Sequence, residues 1–266
     1  MTDPTSATPV RVERDGHVAV VTIDRPEARN AVDTAVATGL SRAFADAEAD
    51  PDVWCLVLTG AGDRSFSAGA DLKALLRGEL PFDPDHPERG FAGVVDHPVS
   101  VPVVTAVNGT ALGGGTELVL ASDLCVAAEH ASFGLPEVAR GLIAAAGGAF
   151  RLPQQIPHRV AMRVLLTGEP IDAREAERWG LVNEVVPADQ LLDRALALAG
   201  LVTRNAPLAV QATKRVALGI TDDGRPDERD TWTRNQAALE AIGGTADVLE
   251  GMQAFAEKRA PRWQAR

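Results

Sequence analysis

Residues 101–123, VPVVTAVNGTALGGGTELVLASD, contain the change of pattern that decides the fold class. The run VPVVTAV is typical of a buried strand, NGTALGGG is a glycine-rich turn, and TELVLASD predicts a helix that begins at that turn. Free N–H groups at such a helix start can face a negative ligand oxygen. The glycine spacing is not G-x-G-x-x-G, and the chain has no G-x-x-x-x-G-K-[ST] sequence, so neither a dinucleotide fold nor a P-loop is predicted.

The flanking sequence repeats this alternation of strands and helices. Residues 10–24 predict two strands joined at Asp15 and Gly16, and a helix with apolar residues at helical spacing follows from Asp33 and ends before Pro51. Apolar runs at 53–60 and from 124 predict further buried strands, the second followed by a turn that ends at Glu137. The pattern indicates an α/β layer or a stack of strand–strand–helix units.

The last third of the chain is predicted to be mainly helical. Residues 77–98, RGELPFDPDHPERGFAGVVDHP, are rich in proline and charge, which predicts a surface excursion rather than a core element. We divide the chain into a core of residues 1–200 and a helical region of residues 201–266. The helices predicted from residue 158 onward are 158–167, 172–179, 188–204, 207–218, 227–242 and 245–258.

Composition excludes several classes of protein. The 266 residues include 26 Lys and Arg against 37 Asp and Glu, a net charge of −11, which disfavours broad contact with nucleic acid or anionic membranes. No apolar run reaches the ~18 residues of a membrane helix, and the first residues lack the pattern of a signal peptide, so we expect a soluble cytoplasmic protein. Cys55 and Cys125 lie in apolar runs and are expected to be buried thiols.

Two carboxylates accompany the glycine-rich segments. Glu117 falls in the first turn of the predicted helix, and Glu137 follows Leu135 and Pro136. Taken alone, an acid early in a helix is explained by the helix dipole. No G-x-S-x-G elbow occurs, and the histidines show no metal-ligand spacing, so neither a serine nucleophile nor a metal site is predicted. The five histidines, expected on loops or in solvent, are His17, His86, His97, His130 and His158.

Three segments together resemble the signatures of the enoyl-CoA hydratase/isomerase family, also called the crotonase family. They are FSAGADLK (66–73), AVNGTALGGGTELVLASD (106–123) and FGLPEVARGLIAAAGGAFRLP (133–153), in the order that the family has. The resemblance extends from VVTIDRPEARNAVD (20–33) through GLVNEVVP (180–187) to FAEKRAP (255–261). It implies the crotonase α/β spiral of strand–strand–helix units and a C-terminal helical region, which in relatives forms trimers that pair into hexamers.

The resemblance also implies roles for individual residues. The backbone N–H groups of Ala70 and Gly114 would form an oxyanion hole for the thioester carbonyl of an acyl-CoA. Glu117 would activate water for attack at C3, and Glu137 would deliver a proton to C2. Lys258 would reach coenzyme A from a neighbouring subunit. The other expected coenzyme A contacts are Arg29, Ala68, Ala70, Asp71, Leu72, Lys73 and Gly114, with Lys73 equally well explained as a solvated surface lysine.

The activity implied by both glutamates is reversible syn hydration of a 2-enoyl-CoA to a 3-hydroxyacyl-CoA. No metal or redox cofactor is implied, since coenzyme A arrives as part of the substrate. Ala144 and Ala145 replace a Pro-Gly pair of many hydratases, and FGLPE and RLP also resemble carnitinyl-CoA dehydratase-like members. The alternatives are therefore such a dehydratase, a double-bond isomerase, or, from another class, a non-catalytic protein that binds acyl-CoA.

Overall fold

The computed structural model describes residues 8–221 and 224–265, which form two sheets surrounded by helices. The larger sheet has six strands in the order β1-β2-β3-β5-β7-β10, and the smaller has four in the order β4-β6-β8-β9. The strands are β1 (Val10–Asp15), β2 (Val18–Ile23), β3 (Cys55–Gly60), β4 (Ser65–Ser67), β5 (Val103–Val107), β6 (Thr110–Leu112), β7 (Leu124–Ala128), β8 (Ser132–Gly134), β9 (Ile171–Asp172) and β10 (Glu184–Val186). Apart from the antiparallel pairs β1–β2 and β8–β9, neighbouring strands are parallel.

Helices occupy most of the remaining described residues. The α-helices are α1 (Thr34–Ala49), α2 (Leu72–Leu76), α3 (Gly114–Leu120), α4 (Gly148–Gln155), α5 (His158–Thr167), α6 (Ala173–Arg178), α7 (Leu191–Thr203), α8 (Pro207–Leu218), α9 (Pro226–Gly243) and α10 (Ala246–Glu257). The six helices predicted from residue 158 onward are all found, with end positions that differ by at most one residue once the 3-10 turn Ala188–Gln190 is counted with α7. No helix in the described ranges has the length and apolar character needed to cross a membrane.

Consecutive strand pairs build both sheets at once. β3 and β4, then β5 and β6, then β7 and β8 each place one strand in the larger sheet and the next in the smaller sheet. A helical segment follows each pair: α2, α3 and the 3-10 segment Pro136–Arg140. This is the strand–strand–helix spiral predicted from the sequence, and it confirms the α/β class. The turn after each short strand lies at the same end of the smaller sheet, because these strands are parallel neighbours.

The outer face of the larger sheet is covered by α7. Leu191, Ala195 and Ala199 are buried against alternate residues of β2, β3, β5 and β7, with Leu196 and Leu198 partly buried at the edge of the same cluster. These apolar positions of α7 therefore pack within the chain. Cys55 belongs to this cluster and Cys125 to the main core; both are free, and burial raises the pKa of each to about 12, as expected for structural thiols.

The interpretation of residues 77–98 as a surface excursion is wrong for their second half. Phe91, Ala92, Val94 and Val95 are buried in the main core, whereas most of the proline-rich and charged residues before them are exposed. The chain can fold back this tightly because Gly93 has φ +68°, and a Cβ there would lie 2.6 Å from the Ala37 carbonyl oxygen of α1. The short apolar run FAGVV was hidden by the polar residues that surround it.

The C-terminal helices pack on the core of their own chain. Lys214 of α8 forms an ion pair with Asp123 at 2.7 Å, and a Cβ added at Gly251 of α10 would overlap the Arg140 carbonyl oxygen. The predicted division at residue 200 falls inside α7. A role of these helices in oligomer formation stays a prediction.

Candidate active site

Glu117 is held in the interior by the way α3 begins. A Cβ at Gly115 would overlap the Ser67 carbonyl oxygen, so the small residues let the helix start directly against β4. The Thr116 hydroxyl donates to the Ala111 carbonyl at 2.7 Å and accepts from the Gly134 N–H at 3.0 Å, which joins α3 to β6 and β8. Glu117 directly follows Thr116 and is buried as a result, with 3% of its surface exposed.

Glu137 comes to the same place from the 3-10 segment Pro136–Arg140. Its Oε1 would lie 3.0 Å from a Cβ at Gly113, so the carboxyl group sits over the residue that precedes α3. Gly113 has φ +57° and donates its N–H to the Gly134 carbonyl at 2.9 Å, which ties the two segments together. The buried Oε2 of Glu137 has no hydrogen-bond partner among the described residues.

Both carboxyl groups have a pKa raised above the usual range of a glutamate. Burial raises the pKa of Glu117, and the neighbouring Glu137 raises it further, against the N–H groups of Gly148 and Ala146 and the charge of Arg151. Burial also raises the pKa of Glu137, against its own N–H and Arg140. Because a buried pair titrates as a unit, the two groups can retain a proton at neutral pH, so one acid and one base are available together.

Two backbone N–H groups beside this pair are unused. Val32 donates to the Gly69 carbonyl and accepts from the Asp71 N–H, so the N–H of Ala70, between them, points away from Val32. A Cβ at Gly69, whose φ is +81°, would lie 2.8 Å from the Gly114 nitrogen. Within residues 8–221 and 224–265, neither the Ala70 nor the Gly114 N–H donates a backbone hydrogen bond. The structure thus brings together the two expected oxyanion donors, and their catalytic role stays a prediction.

The aromatic ring of Phe91 lies against Gly114. A Cβ added at Gly114 would overlap the ring, so only glycine fits beside it. Phe91 is carried by the segment that the sequence analysis assigned to the surface, between Gly90 and Ala92, which both have positive φ. Its ring therefore lies beside one of the two expected oxyanion donors.

The expected coenzyme A contacts cluster at the end of β4. Ala68 donates its N–H to the Arg29 carbonyl at 3.0 Å, which places exposed Arg29 beside this segment. The Asp71 side chain caps α2 by accepting from the N–H groups of Lys73 and Ala74, and it also pairs with Arg25 at 3.1 Å. Its backbone is used as well, because its N–H donates to the Val32 carbonyl and its carbonyl accepts from the Leu75 N–H, each at 2.9 Å.

The other three candidates differ from Asp71 in exposure or in place. Leu72 is half-buried and Lys73 is exposed. Lys258 is an exposed residue with φ +55° at the C-terminal end of α10, the helix that packs against the segment of Glu137. The part that each residue takes in coenzyme A binding stays a prediction.

Sequence reasoning missed several residues that shape the site. Asn30 is fully buried and donates to the carbonyls of Ala61 and Ser65, and Asn108 binds the same turn, so the two amides fix the chain between β3 and β4. Asn108 precedes Gly109 in the sequence, which was the one available signal, whereas Asn30 lies between Arg29 and Ala31. The backbone donors of Ala146 and Gly148 left none, because any residue type except proline supplies an N–H.

The histidines and tryptophans lie outside this arrangement. His17 stacks on Trp54 at the surface with 3.5 Å between ring centroids, and His130 contacts the Asp63 carbonyl. Trp179 and Trp232 pack on the main core. No group of three or more potential metal ligands is found in the described part of the chain.

Comparison with known proteins shows the family to which this chain belongs. The sequence profile of the family described as "Enoyl-CoA hydratase/isomerase" matches residues 13–266. The chain is 42% identical to a carnitinyl-CoA dehydratase of Salmonella arizonae over 258 residues, which are 96% of this chain and 98% of that relative. A crystal structure of a carnitinyl-CoA hydratase from Mycobacterium avium superposes with a TM-score of 0.97 at 56% identity, covering 98% of this chain and all of that one. A crystal structure of an enoyl-CoA hydratase from Mycobacterium tuberculosis H37Rv gives 0.76 at 42% identity, with the same coverage. The chain belongs to the enoyl-CoA hydratase/isomerase, or crotonase, family.

Proposed function

We propose that the protein is a hydro-lyase of coenzyme A thioesters that adds water reversibly and syn to a 2-enoyl-CoA. The observation that carries the proposal is the pair of buried carboxyl groups, Glu117 and Glu137, next to the unused N–H of Gly114. Hydration of a conjugated thioester needs a base, an acid and a site for negative charge on the carbonyl oxygen. The pair and the two N–H groups supply all three.

The proposed reaction starts with the thioester carbonyl accepting hydrogen bonds from Ala70 and Gly114. Glu117 removes a proton from a water molecule while the water oxygen forms a bond to C3. The C2–C3 π electrons shift toward the carbonyl, and the thioester becomes an enolate. Glu137 then gives its proton to C2, and the carbonyl reforms. Two fixed N–H donors stabilise the enolate, and losing one such donor costs ~10²- to 10³-fold in rate.

The hydrogen bonds that each carboxyl group makes or lacks support this division of roles. Glu117 accepts hydrogen bonds from the N–H groups of Gly148 and Ala146, which stabilise its ionised, basic form. The unpartnered, buried Oε2 of Glu137 favours a protonated group, because a neutral acid loses less on leaving water than an anion. Each positioned acid or base contributes ~10²- to 10⁴-fold. No proposed step needs a metal or redox group.

A second candidate is the dehydration or hydration of a carnitinyl-CoA-like substrate. It is supported by the names of the relatives, because the structure named a carnitinyl-CoA hydratase superposes at a TM-score of 0.97, against 0.76 for the one named an enoyl-CoA hydratase. Both activities use the same acid, base and oxyanion donors. They differ only in the group carried beyond C3.

The test is a comparison of substrates and variants. Loss of the ultraviolet absorbance of the conjugated thioester is followed with crotonyl-CoA and a longer 2-enoyl-CoA, and its gain is followed with carnitinyl-CoA. We expect turnover of at least one substrate by the wild type and its loss in Glu117→Gln and Glu137→Gln. A wild type that binds these thioesters without converting any of them would contradict the proposal and favour a non-catalytic acyl-CoA-binding protein.

A further inference from the structure

Arg151 of α4 forms a buried ion pair with a residue of the C-terminal region. Its Nη2 donates to Glu228 Oε2 at 2.7 Å and its Nε to Glu228 Oε1 at 3.3 Å, and the two side chains are 4% and 8% exposed. Arg225 pairs with the same carboxylate at 2.9 Å. Such a forked pair has a defined geometry, and removing Glu228 takes away the ion-pair partner of the buried Arg151.

The same guanidinium also binds a second part of the core. Its Nη1 donates to the Val95 carbonyl at 2.9 Å, on the segment that carries Phe91. The Arg151 Cζ lies 5.4 Å from the ring centroid of Trp232 on α9 and 5.5 Å from that of Phe150. One side chain therefore joins α4, α9 and the buried segment 91–95.

This side chain folds back onto the backbone that holds Glu117. A Cβ at Gly147, whose φ is +101°, would lie 3.2 Å from Arg151 Nη1, so the guanidinium rests against that residue. The residues on either side, Ala146 and Gly148, donate their N–H groups to Glu117, the latter at 2.9 Å. The ion pair and the carboxylate thus lie on either side of one short backbone segment. Asn235 of α9 adds a bond to the Ala145 carbonyl at 2.7 Å.

We propose that Arg151 is a positioning residue, which through its buried pair with Glu228 fixes residues 146–148 and so sets both the orientation and the charge state of Glu117. The role of Glu117 as base rests on the proposed function. On this view α9 supports the active site of its own chain, and the Arg151 side chain acts without touching the substrate.

The charges around the Arg151–Glu228 ion pair predict that removing one partner raises the pKa of Glu117 and that removing the other lowers it. Glu117 faces Glu137 and Arg151, and Arg151 in turn faces Glu228, Arg225 and Asp96. Removing Arg151 removes a positive charge that favours ionised Glu117, so the pKa of Glu117 rises. Removing the charge of Glu228 leaves Arg151 unneutralised, so the pKa of Glu117 falls. A general loss of stability in the two variants would not shift the pKa of Glu117 in opposite directions.

The experiment titrates Glu117 directly in Arg151→Met and Glu228→Gln. The infrared band of the protonated Glu117 carboxyl group, assigned by its loss in Glu117→Gln, is followed against pH, together with kcat and KM for the best acyl-CoA substrate. We expect the midpoint to move up in Arg151→Met and down in Glu228→Gln, with kcat about 10- to 100-fold lower in both because a small displacement of the base suffices. KM is expected to change little.

Matched controls separate this role from stability alone. Arg194 and Glu184 form an ion pair at the surface, and Arg194→Met and Glu184→Gln are expected to change neither the midpoint nor kcat. Arg151→Lys keeps the charge without the fork, so it is expected to leave the midpoint near that of the wild type and lower kcat. Midpoints that shift together in Arg151→Met and Glu228→Gln, or that stay with the controls, would overturn the proposal. A wild type without hydration activity but with opposite shifts would contradict the proposed function alone, because the infrared titration needs no turnover.

Discussion

At the scale of single residues, the molecule combines two acids that water would normally keep ionised. Two glycines let Glu117 and Glu137 come together: a Cβ at Gly115 would overlap the Ser67 carbonyl oxygen of β4, and a Cβ at Gly113 would lie 3.0 Å from Glu137 Oε1. The proton affinity of the pair comes mainly from burial. The proposed acid–base chemistry depends on this arrangement.

Replacing either glutamate by glutamine is expected to lower kcat for hydration by ~10²- to 10⁴-fold, because each variant lacks one proton-transfer group. Steady-state kinetics with the best acyl-CoA substrate measures the effect. The double variant is expected to lose little more than the worse single variant, because the two groups act in one reaction. Additive losses in the double variant would contradict a joint role.

Glu117→Gln is also expected to stabilise the fold as pH rises. A carboxyl group whose folded pKa is raised binds more protons in the folded state than in the unfolded state, so it lowers the free energy of unfolding progressively above its unfolded pKa of about 4.3. The neutral amide does not pay this cost. The melting temperature of the variant should therefore exceed that of the wild type, by a margin that grows from about pH 5 to about pH 8. A margin that shrinks over this range would contradict the raised pKa.

At the scale of elements, the surroundings of the site depend on places where a helix packs directly against backbone atoms of another segment. Gly251 of α10 and Gly200 of α7 are both helical, but a Cβ at Gly251 would overlap the Arg140 carbonyl oxygen, whereas nothing lies within 4 Å of the Cβ position at Gly200. Alanine substitutions at these two glycines therefore separate the effect of helix propensity on stability from the effect of packing.

Gly200→Ala is expected to raise the free energy of unfolding by up to about 1 kcal/mol, because alanine favours the helix. Gly251→Ala gains the same propensity but must push α10 away from the segment of Glu137, so it is expected to destabilise the protein and to lower kcat. Chemical denaturation and kinetics of both variants check this. Equal stabilisation by the two substitutions would show that α10 is not packed closely against Arg140.

Elements with clear local signals were predictable, and short ones were not. The last helices were found because apolar spacing continues over several turns and Gly or Pro marks their ends, as at Gly219 and Pro226. β4, β6, β8 and β9 have two or three residues each, too few for a period of two to be recognised. α4 was not predicted either, since it contains Pro153 and begins in an alanine and glycine run.

At the scale of the whole molecule, three ordered motifs predicted the glutamates and backbone donors that the fold brings together, but the residues that support them could not be predicted. Arg151 and Glu228 are 77 residues apart, and only the folded chain makes them neighbours. The burial of Phe91 likewise depends on α1 and Gly114, which lie far from it in the sequence. Long-range pairs of this kind leave no local pattern, whereas strands and capped helices do.

The proposed function of the molecule is the addition of water to a conjugated thioester by two carboxyl groups, which the spiral and the C-terminal helices hold in place. The most direct test of this claim is mass spectrometry of the acyl-CoA product formed from a 2-enoyl-CoA in water enriched in heavy oxygen. The account predicts one heavy oxygen bound at C3 in the wild-type product, and almost none over the same time with Glu117→Gln or Glu137→Gln. A converted product without oxygen from water, or full incorporation by either variant, would contradict it.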